Sequence, residues 1–372
     1  MAVNRSAVTR RLRLPNILVA LSLAGAMLAI LPIAAGIMTE VFGTGSHSTA
    51  FASAPSGDYA VYIDAGEEAD QVMVAPADNP EDAMPIAEVG HLPGFSVRGA
   101  VSPDGTRAAV VAVEAGTPAR PGASLLVVDL ESGEVVRAAT GVDHLQQPAW
   151  TPDGDAVVVT RGGDSAPGPV TVLRVDAAGN GEEVVLREYD SVLGVYPVGF
   201  DGEGGLVSVV ITDEGSMAHR DGEPVTRLSS SITRDWALSP DGERLAFVET
   251  SPGSAYTPRV ASLDGSQSAA LAQSGLPGQA LGATWSPDGN PAFGFEPDAS
   301  AEQVEGQGVL GQSLGDGFDV PLGYSKSGDA AAVRHWSGDN FDSPGDVTFQ
   351  VVTETGRADL PGATGFLGWA AR

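Results

Sequence analysis

The stretch that decides the fold is Ser102-Pro103-Asp104-Gly105, followed by the apolar run Ala108–Val113. It recurs as Thr151–Gly154 before Ala156–Val159, as Ser239–Gly242 before Leu245–Val248, and as Ser286–Gly289 before Ala292–Phe295. Degenerate copies lie at Pro55–Gly57, at Gly204 and at Lys326–Gly328, each before an apolar run. Proline presets φ for the first central position of a type I turn, Asp suits the second, and Gly takes the left-handed conformation that closes the hairpin. The seven turn glycines, at 57, 105, 154, 204, 242, 289 and 328, are 48, 49, 50, 38, 47 and 39 residues apart. That spacing brackets one four-stranded propeller blade. A second turn follows in most copies, as at Asp129–Gly133, Asp221–Gly222 and Asp264–Gly265. Two hairpins per period make four antiparallel strands. The predicted fold is all-β, a seven-bladed β-propeller over 55–372, with six or eight blades as the alternatives.

The four full Ser/Thr-Pro-Asp-Gly copies resemble the TolB-like, WD40-like β-propeller repeat of periplasmic proteins. The resemblance covers residues 55–372 and implies a propeller that binds other proteins. The chain departs from it in two respects. Seven turns replace six blades, and no separate α/β domain precedes them. The Trp-Asp ending of eukaryotic WD40 repeats is absent, and the sialidase Asp-box is not matched, because Trp150 and Trp285 precede their turns. The tail Thr364–Ala370, with Trp369, parallels Ala280–Trp285. It is expected to supply the innermost strand of the blade containing Tyr59–Ile63 and so close the ring.

Composition narrows the chemistry. Gly 48 and Pro 26 make about a fifth of the 372 residues, which many turns account for. With no cysteine, thiolate metal sites, disulfides and thiol nucleophiles are excluded. The net charge is −28. Residues 1–40 hold Arg5, Arg10, Arg11 and Arg13 against Glu40, which leaves the remainder still more acidic. No cationic stripe is present to displace counterions from phosphates, so nucleic acid is not an expected partner. Lys326 is the single lysine, which leaves little scope for Schiff-base chemistry.

Ile17–Met38 carries no charge over 22 residues, enough to span a bilayer as a helix. The preceding arginines would stay inside. The expected organisation is a basic cytoplasmic segment (1–16), a transmembrane helix or signal-anchor (17–38), a linker (39–54) and the propeller (55–372). The expected localisation is single-pass, with the propeller outside. A cleaved signal peptide and a secreted protein are the alternative.

Catalytic constellations are scarce. Gly311–Gly315 fits Gly-x-Ser-x-Gly, but a hydrolase elbow needs a following Asp and His, and His335 is the one histidine left. Ser313 is therefore read as part of an ordinary strand and turn. The repeated aspartates Asp104, Asp153, Asp241 and Asp288 belong to their turns. No cofactor is expected; Asp339, Asp342 and Asp346 form the one loop with oxygen ligands suited to Ca²⁺. The short turns should share one face of the disc, and the irregular loops 114–123, 161–168, 251–258, 296–308 and 335–346 the other. Long loops on a rigid scaffold carry recognition. Arg120, Arg161, Tyr256, His335 and Trp336 stand out among their small and acidic neighbours. Arg161, Tyr256 and Trp336 are the candidate partner-binding residues, since Arg and aromatics dominate binding hot spots. The expected function is a membrane-tethered protein-binding or scaffolding module of the cell envelope, not an enzyme. The alternatives are a carbohydrate- or small-molecule-processing propeller, or a ligand sensor acting through a membrane partner.

Overall fold

The computed structural model describes residues 49–117, 120–162, 166–180, 183–251, 255–265, 269–270, 280–295, 310, 317–338 and 343–372. The chain there is an all-β propeller. Blade 1 is the sheet Ala363–Ala371, Asp58–Asp64, Ala69–Pro76 and Met84–Gly90; blade 2 is Arg98–Val101, Arg107–Thr117, Arg120–Asp129 and Val135–Val142. Blade 3 comprises Ala149–Trp150, Ala156–Gly162, Gly168–Asp176 and Val184–Val192, and blade 4 Gly194–Phe200, Leu206–Thr212, Gly215–Arg220 and Glu223–Ser229. Blade 5 is Thr233–Leu238, Arg244–Ser251, Ala255–Ser262 and Ala269–Ala270, and blade 6 is Phe318–Tyr324, Ala330–Trp336, Val347–Thr353 and Gly356–Asp359. Between blades 5 and 6 in the chain lies a two-stranded sheet, Ala280–Trp285 with Pro291–Phe295. Six complete four-stranded blades are thus seen among the described residues, where seven were expected.

The turn motif works as its chemistry requires. Ser102 Oγ donates to Asp104 Oδ1 at 2.5 Å, the Thr106 N–H donates to the same oxygen at 3.1 Å, and the Arg107 N–H to Ser102 Oγ at 3.0 Å. Thr151–Asp153 and Ser239–Asp241 repeat this set. Hydrogen bonds to the ionised carboxylates, led by Thr151 at Asp153 and Ser239 at Asp241, lower both pKa values. At Asp104 burial works the other way, but the Ser102 and Thr106 bonds and the Arg107 charge outweigh it and the pKa is again lowered. Gly242 has φ +72°, and a Cβ there would meet the Asp201 and Gly202 backbone at 2.5–2.6 Å, so only glycine fits.

The core is a series of layers between neighbouring blades. One layer joins blades 1 and 2 through Val61, Val74, Val110 and Leu126, and another joins blades 2 and 3 through Val111, Leu125, Trp150 and Leu173. A tryptophan before the turn fastens each of several junctions. Trp150 Nε1 donates to Ala100 O at 2.8 Å, Trp285 Nε1 to Ala237 O at 2.9 Å, and Trp369 Nε1 to Gly323 O at 3.2 Å. The arginine after the preceding turn lies over the ring. Arg107 is 5.4 Å from Trp150 and Arg244 4.7 Å from Trp285, each also donating to the next turn's glycine carbonyl. Each such pair joins indole burial to a cation–π contact.

Closure follows the expected route. Ala363–Ala371 pairs antiparallel with Asp58–Asp64 as the innermost strand of blade 1. Arg372 exchanges two backbone hydrogen bonds with Gly57, pairs with Glu131 at 3.0 Å and stacks on Phe51 at 5.4 Å. Phe51, in the four-residue helix Thr49–Ala52, is buried against Tyr59. The ends of the propeller are therefore tied together by both sheet pairing and side-chain packing.

The expected localisation is corrected here. No helix among the described residues is long and apolar enough to cross a membrane. The segment Ile17–Met38, on which the transmembrane and outside-facing expectations rested, lies outside the described residues. Hydropathy shows that an apolar run is long enough to span, not that it forms a spanning helix.

Candidate functional site

Each blade after the first runs from its inner strand outward, so all inner strands start at the loop end and finish at the Pro-Asp-Gly end. At the loop end of blade 5 the inner strand begins Thr233-Arg234-Asp235-Trp236, two adjacent charges where apolar or small residues begin its neighbours. The pairing with Arg244–Ser251 skips between Arg234 and Ala237. Asp235 sits in that irregularity with φ +54°. A non-glycine residue held there is strained, and such strain collects at functional sites.

Asp235 Oδ2 accepts from Arg234 Nε at 3.1 Å and from the Gly282 N–H at 2.9 Å. The carboxylate thereby links blade 5 to the two-stranded sheet. The Arg234 guanidinium lies 5.7 Å from the Tyr256 ring centroid. From blade 6, Arg334 lies 5.1 Å over Trp336. Burial lowers the Arg334 pKa; the Asp235 charge opposes this, and the Arg234 charge adds to it. Arg234, Asp235 and Arg334 therefore share one electrostatic neighbourhood. Arg334 Nε is buried with no hydrogen-bond partner among the described residues. Trp236 extends the aromatic wall, its ring 4.5 Å from Tyr196 and its Nε1 donating to Thr233 Oγ1 at 2.8 Å. Burial raises the Tyr196 pKa, and the Asp143 charge adds to it.

Two of the three residues singled out from sequence, Tyr256 and Trp336, thus fall on this cluster, each beneath an arginine. Trp336 also stacks on Phe318 at 5.7 Å and packs beside Leu281 and Val320, so much of its ring is core. Arg161 stands elsewhere and is committed. Its Nη1 and Nη2 bind both Glu183 oxygens at 2.9 Å, and its Nη2 and Nε reach the Thr140 and Gly141 carbonyls at 2.7 and 3.2 Å. It staples blade 3 to blade 2, and its hydrogen bonds lower the Glu183 pKa. His335 is engaged as well: Asp319 Oδ1 meets His335 Nδ1 at 3.0 Å and accepts from Arg357 Nη2 at 2.6 Å, and Arg357 in turn donates to Gln350. That network spans blade 6 from its inner to its outer strand. Sequence reasoning missed Arg234, Asp235 and Arg334. The adjacent charges in an inner strand were a usable signal; the meeting with Arg334 was not, because it depends on blade order.

No group of three or more His, Asp or Glu converges as a metal site among the described residues. Asp339 and Asp342 of the Ca²⁺ loop, and Ser313, lie outside them. Asp346 is described, its N–H donating to Ser337 Oγ at 2.9 Å.

In sequence, no protein-family model matches the chain, and no curated protein matches it. Solved structures do match in fold. TolB from Acinetobacter baumannii is similar over 85% of this chain and 67% of its own, at 15% identity and TM-score 0.50. A prolyl endopeptidase is similar over 82% of this chain and 48% of its own, at 14% identity and TM-score 0.54. Prolyl oligopeptidase B from Galerina marginata is similar over 84% and 50%, at 10% identity and TM-score 0.50. The chain spans about half the length of the two peptidases. At these identities the likeness is one of fold, a TolB-like β-propeller, and a propeller selects neither binding nor catalysis.

Proposed function

We propose that the chain is a protein-binding or scaffolding propeller that receives its partner at the loop end, around Arg234, Asp235, Tyr256 and Arg334. The observation that carries this is the strained Asp235, bonded to the Arg234 guanidinium and within the field of Arg334, each arginine lying beside an aromatic ring. Arginines and aromatics gathered on a rigid scaffold are the makings of a binding hot spot. The opposite face offers less, because the aspartates of its turns already accept hydrogen bonds from their own loops. We further propose that the two-stranded sheet belongs to a seventh blade. Its turn, Ser286–Gly289, has the same closing bond as the others. An experimental density map in which Ala280–Phe295 remains a two-stranded sheet would contradict that blade count.

The test of the site is capture of a partner from extract of the source cells by the tagged propeller. Arg234→Ala and Tyr256→Ala should each weaken capture by more than about 1 kcal/mol, with thermal stability held. Glu243→Ala, on an exposed turn, should leave capture unchanged. Capture lost through Glu243 and retained in the other two variants would place the partner on the turn face instead.

A further inference from the structure

We infer that Arg234 and Arg334 form a two-guanidinium receptor for a carboxylate carried by the ligand of this site. The inference rests on the partner site proposed above for its location, and it adds the chemistry recognised there. Asp235 bonds the Gly282 N–H, Gly282 closely approaches the Val320 side chain, and Val320 pairs with Arg334 across blade 6. This brings both arginines to one neighbourhood, in a chain with 20 basic residues against 48 acidic ones. Asp235 offers Oδ2 to Arg234 Nε and to the Gly282 N–H, so it answers one of the two guanidiniums. The terminal nitrogens of Arg234 take no partner among the described residues. Arg334 Nε is buried and unbonded among the described residues, a costly state for a charged donor. Burial also disfavours the Arg334 cation, and a ligand anion would offset that loss.

Geometry selects the ligand's shape. An aromatic ring borders each guanidinium, Tyr256 at 5.7 Å from Arg234 and Trp336 at 5.1 Å from Arg334. Edge-on donation to two oxygens is the arrangement in which arginine binds carboxylate or phosphate. Charge separates those two. Two guanidiniums and Asp235 sum to one positive charge, which a singly charged carboxylate neutralises. A phosphate dianion would instead leave the cluster with a net negative charge in a partly buried place, where an unbalanced charge is costly. The acidity of the rest of the chain acts weakly at this distance, because salt at 0.15 M screens exposed charges beyond about 8 Å.

The experiment titrates the full chain with hippurate, its neutral analogue hippuramide, inorganic phosphate and the peptide acetyl-Ala-Glu-Ala-amide. Titrations run at fixed ionic strength, read by tryptophan fluorescence and calorimetry. Hippurate should bind saturably and at least about tenfold more tightly than hippuramide, as a charge-assisted pair requires. Arg234→Gln and Arg334→Gln should each weaken it about tenfold, and Asp235→Asn should tighten it. Should Arg334→Gln unfold, the exposed Arg234 carries the test alone. A peptide tighter than hippurate assigns the carboxylate to an acidic side chain of a protein; the reverse order assigns it to a small acid. Hippuramide binding as well as hippurate, affinity untouched by Arg234→Gln, or phosphate binding more tightly than either acid would overturn the inference. Partner capture lost in Arg234→Ala without any carboxylate binding would sink this inference and leave the partner site standing. Carboxylate binding with capture indifferent to Arg234 would do the reverse.

Discussion

Replacing Trp369 by alanine should open the ring at its seam before anything else gives way. Trp369 is 8% exposed and packs with Ala60, Tyr62, Ala330 and Leu360, which come from blades 1 and 6 and the turn that follows blade 6. Its ring edge meets Phe366 at 5.8 Å, and its indole N–H reaches Gly323 O at 3.2 Å. Removing a buried tryptophan side chain costs about 3–5 kcal/mol, a large share of the roughly 5–15 kcal/mol that holds a domain folded. Trp369→Phe keeps most of the packing and gives up the N–H, so about 1–2 kcal/mol is expected. The strand Ala363–Ala371 bonds to a neighbour on one side alone, through Asp58–Asp64. Its release therefore leaves the other sheets paired. Urea denaturation gives the total loss, and hydrogen exchange gives its location. Amides of Asp58–Asp64 should exchange faster in Trp369→Ala, while those of Ala156–Gly162 in blade 3 stay protected. A loss under about 1 kcal/mol for the alanine variant would refute the reasoning. So would exchange that rises equally in blade 3.

Acid should act first on the turns. The folded pKa values of Asp104, Asp153 and Asp241 are lowered, so their contribution is complete above the ordinary carboxylate value of about 3.9 and is lost as pH falls through the lower folded values. The triple Asp→Asn variant should show a flatter stability profile below about pH 4, and an unchanged acid limb in denaturation curves would contradict this. Asp70 is fully buried and accepts from Val97 N–H at 2.8 Å and Gly66 N–H at 3.1 Å, with His91 Nε2 at 2.9 Å. Asp70→Ala leaves these groups without their acceptor and should cost about 3 kcal/mol or more, and Asp70→Asn less. Chemical denaturation showing the two variants equally mild would argue against this anchor for the loop between blades 1 and 2.

The turn chemistry was legible because it is local. Proline, aspartate and glycine in four consecutive positions dictate a hairpin whatever surrounds them, and Ser102, Thr151 and Ser239 each bond as that reading requires. Closure was legible because Trp369 repeats the place of Trp285 before a turn. The site was legible in part. Tyr256 and Trp336 stood out in stretches read as long loops, although they lie in the strands Ala255–Ser262 and Ala330–Trp336. Arg334 precedes Trp336 by two residues, but the meeting of Arg234 with Tyr256, and of both arginines with Asp235, comes from register and blade order, which no short window contains. Arg161 looked unpaired because Glu183 stands 22 residues away and meets it only when the blade folds. The strain at Asp235 could not be read, since nothing in Arg234-Asp235-Trp236 marks where the pairing skips.

The most direct test of the partner site is site-specific photo-cross-linking. A benzoylphenylalanine placed at position 256 reports the loop end of blade 5, and one at position 243 reports the turn face. Irradiated in extract of the source cells, the probe at 256 should give a discrete protein adduct that Arg234→Ala abolishes, and the probe at 243 should give none. An adduct from 243 alone, or one from 256 that survives Arg234→Ala, would contradict the account.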